Sequence, residues 1–276
     1  MCPNCRAFIS SDDKVCPYCE VALGARVVEK RSPADALGGF IPHARFTTTV
    51  ILLLNFGLYI ATTLYSMKGS SGMTFDIDGQ TLFAFGAKES FAILRGGQWW
   101  RLVTAGFLHG GILHILMNSW VLFDLGPQVE EVYGTGRFLV FYFVATVLGF
   151  LASTVFSNSL SIGASAGIFG LIGAMIALGV RQRHTALGAS VRSHYTQWAI
   201  FGVVIGLIPG FRVDNAAHLG GLAGGFVLGY LAQTPLAVEG WQEKFWPAVA
   251  AICVILTAVS FVLMFLNFAG SNPTVL

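Results

Sequence analysis

Apolar stretches recur along this chain, most of them close to the length needed to cross about 30 Å of hydrocarbon at about 1.5 Å per helical residue, with the fifth of them short. Seven are read, at residues 47–66, 102–125, 138–156, 162–180, 198–208, 216–231 and 245–268, with short polar or Gly/Pro segments between them. Runs of this kind fold as helices, because a helix satisfies its own backbone where no water is present to do so. Composition agrees: 55% of the 276 residues are hydrophobic and 11% are charged, far from a soluble average. An all-α polytopic membrane protein is expected. The formal net charge of +2, from scattered Lys and Arg, offers no phosphate-tracking surface and sets nucleic acid aside as a partner.

Four of the five cysteines form two pairs near the start, Cys2-Pro-Asn-Cys5 and Cys16-Pro-Tyr-Cys19. Each short turn brings two sulfurs to one side of an ion, and four thiolates complete a tetrahedral zinc site with no open position for catalysis. Residues 1–22 are therefore read as a small zinc-ribbon-like module holding a structural Zn2+. The competing reading, two disulfides, suits an exported segment, and no apolar signal precedes residue 47. Cys253 stands alone in an apolar run and reads as a packing residue. Residues 23–46, with Arg26, Lys30, Arg31 and Arg45, form a basic linker to the membrane.

A cytoplasmic N-terminus puts eleven Lys and Arg inside and five outside, in line with the positive-inside rule. The outer loop, residues 67–101, mixes Phe75, Phe83, Phe85, Phe91, Trp99 and Trp100 with Gly, Asp and Lys, a composition suited to the interface.

Polar residues inside spans are costly, roughly 2.5–3.5 kcal/mol for a charge at the bilayer centre, so they are candidates for function. The second span carries His109, His114 and Asn118, the fourth Ser165, and the sixth Asn215 and His218. With the N-terminus inside, these three spans all run outside to inside, and the residues named are read as lying toward the N-terminal part of their spans. They converge at one outer depth that water can reach.

Ser165 lies in Gly163-Ala-Ser165-Ala-Gly167, a G-x-S-x-G pattern that continues as a membrane helix rather than as the strand-to-helix elbow of soluble hydrolases. A serine on a small-residue packing face is the plain alternative. As a nucleophile it needs a base, and His218 is the best candidate. His218, Gly221 and Gly225 share one helical face, and that glycine stripe can press against Gly163, Gly167 and Gly170. His114 and Asn118, four apart, can both donate to one oxygen, and the Ser165 backbone N–H at a helix start adds a third donor. The histidines lack the H-E-x-x-H spacing, so no catalytic metal is expected. Asp214 reads as a helix N-cap rather than as a third catalytic member.

Taken as an ordered set, these residues resemble the rhomboid family of intramembrane serine proteases, from about Gln98 to Tyr230. Trp100-Arg101 is similar to the family's Trp-Arg element, and Glu130 to its structural glutamate. His109, His114 and Asn118 fall where its second helix carries His, His and Asn, the latter two binding the oxyanion. The resemblance implies a Ser165–His218 dyad without an acid, with Asn215 in a supporting role. Phe169 stands where the family commonly has Tyr stacked on the histidine, which keeps the stacking and loses the hydroxyl. Val213 stands where the last-helix pattern often begins with Gly.

The organisation expected is a six-helix rhomboid core at 47–234, then a linker and seventh transmembrane helix at 235–276. The function implied is endopeptidase cleavage of transmembrane segments of membrane proteins, with the site toward the extracytoplasmic side. The alternative is a non-cleaving rhomboid-like factor that binds membrane helices for quality control; such relatives usually lack the Ser or the His, and both stand here. A transporter gains no support, since paired mid-membrane charges and inverted repeats are missing from the sequence.

Overall fold

The computed structural model describes residues 15–22, 46–67, 76–209, 213–232, 234 and 241–271. The chain divides into two compact units, Met1–His43 and Ala44–Leu276. In the first, Val15 and Ala22 pair as an antiparallel bridge around the turn that holds Cys16 and Cys19. The Cys16 N–H donates to the Val21 carbonyl, and the Glu20 N–H to the Cys16 carbonyl, both at 2.9 Å. Cys2, Cys5 and the linker at 23–45 lie outside the described residues.

The second unit is helical. After α1 (Phe46–Met67) come three short helices, α2 (Gly79–Ala84), α3 (Ser90–Leu94) and α4 (Arg101–Thr104), the last running into a 3-10 turn at Ala105–Phe107. The long helices follow: α5 (Ile112–Phe156), α6 (Ser165–Arg181), α7 (Ala186–Ile205), α8 (Asn215–Leu231) and α9 (Gln242–Ser271). Among the described residues, α1, α5 and the Lys244–Phe268 part of α9 are long and apolar enough to cross a membrane, and α6 is a shorter apolar helix.

Helix α5 is two helices in one. Gly134 breaks it with φ 78° and ψ 159°, a left-handed backbone that a side chain would strain. The two arms run antiparallel, because both ends of α5 lie at the level where α6 and α8 begin. His114 near its start faces Gly163, and Ser153 near its finish bonds Asp214. Each arm has 22 residues, about 33 Å of helix.

The same contacts give every long helix a direction. At the end away from Ser165, Thr47 of α1 meets Glu130, and Trp246 of α9 covers Arg137 and Phe141. At the Ser165 end, Tyr65 of α1 and Phe268 of α9 both pack on Phe85. Helices α1 and α9 thus run toward the Ser165 end, as does α7, whose Val203 carbonyl meets Asn215 at the start of α8, and α6 and α8 run away from it. Ile168, Leu171, Ile172 and Met175 of α6 pack with Phe138, Phe141 and Tyr142 of α5 in the main core. Leu53, Ile60 and Leu64 of α1 and Ile255, Val262 and Leu266 of α9 face outward.

Helices α6 and α8 meet backbone to backbone. A methyl on Gly221 would overlap the Ala166 carbonyl, and one on Gly225 the Gly170 carbonyl. Close approach of this kind replaces the hydrophobic drive that helices lack in lipid with packing.

Two expected spans shift. The stretch at 102–125 is not a helix from its start: residues 101–107 turn through α4 and the 3-10 segment, and α5 begins only at Ile112. The backbone is still extended at Gly111, with φ −175° and ψ 168°, and turns helical only after it. His109 therefore precedes the helix instead of lying on it. The fifth stretch, read at 198–208, belongs to a helix that starts at Ala186, where Thr185 caps it by accepting the Gly188 N–H at 2.9 Å. Its first turns are polar, and apolarity does not mark them.

Candidate active site

Ser165 is the first residue of α6, so the N–H groups of the helix's first turn, its own included, have no intrahelical acceptor. Gly163, two residues earlier, sits at φ 124° with its N–H on the Ala105 carbonyl at 2.9 Å. Glycine is required there twice over. The backbone is left-handed, and a Cβ would stand 2.7 Å from His114 Nε2 and 3.6 Å from Ser165 Oγ. The Ser165 hydroxyl and the His114 ring thus flank the same glycine and are close neighbours.

His218 stands in the first turn of α8, one turn before the Gly221 contact with Ala166. Phe169, one turn after Ser165 on α6, stacks on the His218 ring at 4.0 Å between centroids and 17° between planes. Ser165 and His218 thus stand on facing turns of two helices in backbone contact. The carboxylate of Asp214 is engaged elsewhere: it accepts the Ala217 N–H at 3.0 Å as the α8 cap and also accepts the Ser153 hydroxyl. The buried Nδ1 of His218 has no hydrogen-bond partner among the described residues, so Asp214 does not orient the ring.

The His114 tautomer follows from its surroundings. Nδ1 accepts the Gly110 N–H at 3.4 Å, so the neutral ring carries its proton on Nε2, the nitrogen facing Gly163. Asn118, one turn on, gives one amide hydrogen to the His114 carbonyl at 2.9 Å and retains the other. Both side chains thus carry a donor, and that of His114 faces the Gly163–Ser165 turn. His109, fully buried in the segment before α5, sets its ring edge-on against His114 at 5.0 Å. It backs His114 rather than facing the nucleophile.

The remaining predicted residues are structural neighbours or lie far away. Asn215 Nδ2 donates to the Val203 carbonyl at 3.2 Å, which ties the start of α8 to the end of α7. Arg101 is fully buried and donates from Nε to Gln98 at 2.6 Å and from Nη1 to the carbonyls of Phe83 at 2.7 Å and Ala87 at 2.9 Å. Its guanidinium lies over the rings of Phe83 and Trp100, so Trp100-Arg101 knits the segment from α2 to α4 without reaching Ser165. Glu130 is at the opposite end, where Oε1 accepts the hydroxyls of Thr47 at 2.6 Å and Thr135 at 2.7 Å across the Gly134 break.

Three contributors went unread in the sequence. Gly202 of α7 lies against the Phe169 ring, Ser153 bonds the Asp214 cap, and Lys88 is buried beside the segment leading to Ser165. Only Lys88 left a signal, one of four cations in an aromatic loop and the one that directly follows Gly86-Ala87. No group of three or more His, Cys, Asp or Glu suited to a metal occurs among the described residues.

Comparison with known proteins matches residues 96–235 to the Rhomboid domain. The chain is 39% identical over 185 residues to "Rhomboid protease GluP" of Bacillus subtilis (strain 168), covering 66% of this chain and 34% of that protein. It is 36% identical over 154 residues to "RHOMBOID-like protein 4" of Arabidopsis thaliana, covering 55% of this chain and 38% of that one. It is 33% identical over 209 residues to "Rhomboid-like protease 3" of Toxoplasma gondii, covering 74% of this chain and 79% of that protein. The chain spans less than half the length of the first two. The matched interval holds Ser165, His218, His114 and Asn118 together, and with it the chain belongs to the rhomboid family.

Proposed function

We propose that this chain is an intramembrane serine endopeptidase that cleaves transmembrane segments of other membrane proteins. The observation that carries the reading is the meeting of Ser165, a His218 ring held flat by Phe169, and the Nε2–H of His114 at one end of the helix bundle. Ser165 Oγ attacks the scissile carbonyl carbon while His218 takes its proton as general base. The resulting oxyanion receives hydrogen bonds from His114 Nε2, Asn118 Nδ2 and the Ser165 N–H. Protonated His218 then gives its proton to the leaving amine, and water, activated by the same imidazole, hydrolyses the acyl-enzyme. Asp214 is not hydrogen-bonded to His218 as a third member, since its carboxylate is taken by Ala217 and Ser153.

The two arms of α5, together with α1, α6, α7, α8 and α9, make seven crossings. An N-terminus on the cytoplasmic side sets the dyad toward the extracytoplasmic side, supported by the Lys and Arg balance. A substrate helix must unwind locally to present a carbonyl, so small and helix-weakening residues are the expected preference at the cut.

The Cys16–Cys19 turn, with Cys16 buried and the Glu20 N–H folded back onto the Cys16 carbonyl, suits one half of a four-thiolate zinc ribbon whose other half is Cys2 and Cys5. The zinc there is structural. The purified protein is expected to carry about one zinc per chain, which Cys16→Ser abolishes.

The deciding experiment compares wild type with Ser165→Ala and His218→Ala in liposomes with a model transmembrane substrate. Wild type cleaves and both variants do not. Equal cleavage by wild type and Ser165→Ala, or none by either across varied substrates, overturns the proposal.

A further inference from the structure

Lys88 is fully buried although it lies in the segment between α2 and α3, far in sequence from any proposed catalytic group. Its Nζ donates to the carbonyls of Ser157 at 2.6 Å and Ser159 at 3.1 Å, the first turn of chain beyond the end of α5. The Ser90 hydroxyl joins it on the Ser157 carbonyl at 3.0 Å. Main-chain bonds double the attachment: the Lys88 N–H donates to the Ser161 carbonyl at 2.9 Å, and the Ser161 N–H returns to the Lys88 carbonyl at 3.0 Å. Four residues after Ser161 comes Ser165. Between them the Gly163 N–H is fixed on Ala105, in the turn that follows Arg101. Arg101 in turn takes the Ala87 carbonyl beside Lys88.

A lysine is an expensive choice here. Burial pushes its ammonium pKa down, opposed by the charges of Asp214 and Glu89. A methionine would fill similar volume without desolvating a charge. What only the ammonium supplies is a cation at the carbonyl end of α5, where the helix dipole is negative, with several donors to gather the chain that leaves it. Its field also reaches Asp214, the cap of α8, four residues before His218. One buried cation therefore touches the chain entering the nucleophile helix and neighbours the cap of the helix that carries the base.

We propose that Lys88 is a positioning residue for the dyad: by pinning the 157–161 segment it holds Ser165 in register with His218. This rests on the protease reading above. The test uses the full-length protein in liposomes with a model transmembrane substrate and, separately, a fluorophosphonate probe that reacts with the serine and needs no substrate docking. Lys88→Met is expected to lower kcat at least tenfold with KM within twofold, and to slow labelling of Ser165 by a similar factor. Lys88→Arg, which restores a cation and its donors, is expected to recover at least a third of both rates. Where Lys88→Met yields no folded protein, Lys88→Gln carries the same comparison with two N–H donors and no charge.

The proposal is overturned if the uncharged variant labels and cleaves within twofold of wild type. It is also overturned if the loss lies in KM with labelling unchanged, or if Lys88→Arg folds and labels no faster than the uncharged variant. Failure of the protease reading shows differently, as cleavage that survives Ser165→Ala or a wild type that neither cleaves nor labels, and it overturns both.

Discussion

Phe169 lies nearly parallel to His218, its ring 4.0 Å away, and its far edge touches Gly202 of α7. The base is thus fixed by a sandwich of α8, α6 and α7, with no carboxylate behind it. A methyl at Gly202 would come 2.5 Å from Phe169 Cζ, so Gly202→Ala has to tilt the ring or push α7 away. Aromatic stacking is worth about 0.5–1.5 kcal/mol, so Phe169→Ala and Gly202→Ala are each expected to lower kcat about two- to tenfold. Because both act through one ring, the double variant falls no further than Phe169→Ala alone, which a double-mutant cycle on kcat measures. Phe169→Tyr adds its hydroxyl at Cζ, where Gly202 stands, and is expected to lower the rate as well.

The donors are separable from the dyad. Asn118 has one amide hydrogen committed to the His114 carbonyl, and the other is available when an oxyanion forms. Asn118→Ala is expected to cost about 100- to 1000-fold in kcat with little change in KM, because the bond matters in the transition state rather than in substrate binding. His114→Ala is expected to behave alike. Steady-state kinetics in liposomes checks both.

The glycine stripe carries the helix contact that brings the dyad together. Gly225→Ala would drive a methyl into the Gly170 carbonyl, a backbone atom that cannot step aside without separating α6 from α8. Overpacking of this sort costs about 1–3 kcal/mol, so a lower melting midpoint and a lower rate are expected together. Gly57→Ala is the control, since its Cβ would meet nothing within 4 Å. There a small gain of about 0.5–1 kcal/mol is expected, from better helix propensity.

The helical class, the Gly225–Gly170 contact of α6 with α8 and the placing of Ser165, His218 and His114 at one end were readable from the sequence, whereas Gly167, expected on that same face, meets Tyr142 and Thr146 of α5 and Gly163 meets His114. The readable features rest on period, composition and the parity of the spans. What escaped depends on backbone detail that hydropathy averages away. The extended backbone at Gly111 detaches His109 from α5, and the polar first turns of α7 hide a helix that hydropathy does not mark. Lys88, Ser153 and Gly202 escaped for another reason. Each acts through a partner more than thirty residues away, Ser157, Asp214 and Phe169 respectively, and no local spacing encodes such pairs.

Tyr133 offers a test of stability apart from chemistry. It is fully buried at the opposite end from Ser165, just before the Gly134 break, and its hydroxyl points between the carbonyls of Ala174 at 3.1 Å and Gly229 at 3.3 Å. One proton is shared by two acceptors on α6 and α8, so the hydroxyl ties the N-terminal arm of α5 to both. The Ala174 carbonyl lies inside α6, while Gly229 is in the last turn of α8 and loses this donor, and neither loss strands a charge. Tyr133→Phe is therefore expected to cost about 1 kcal/mol, a drop of about 2–4 °C in melting midpoint. Its kcat/KM per folded molecule should equal that of wild type. Tyr133→Ala instead opens a cavity where three helices meet and is expected to cost about 3–5 kcal/mol. A Tyr133→Phe protein with wild-type stability but a reduced rate would mean that the far end communicates with the dyad, contrary to the local account given by Phe169 and Gly202.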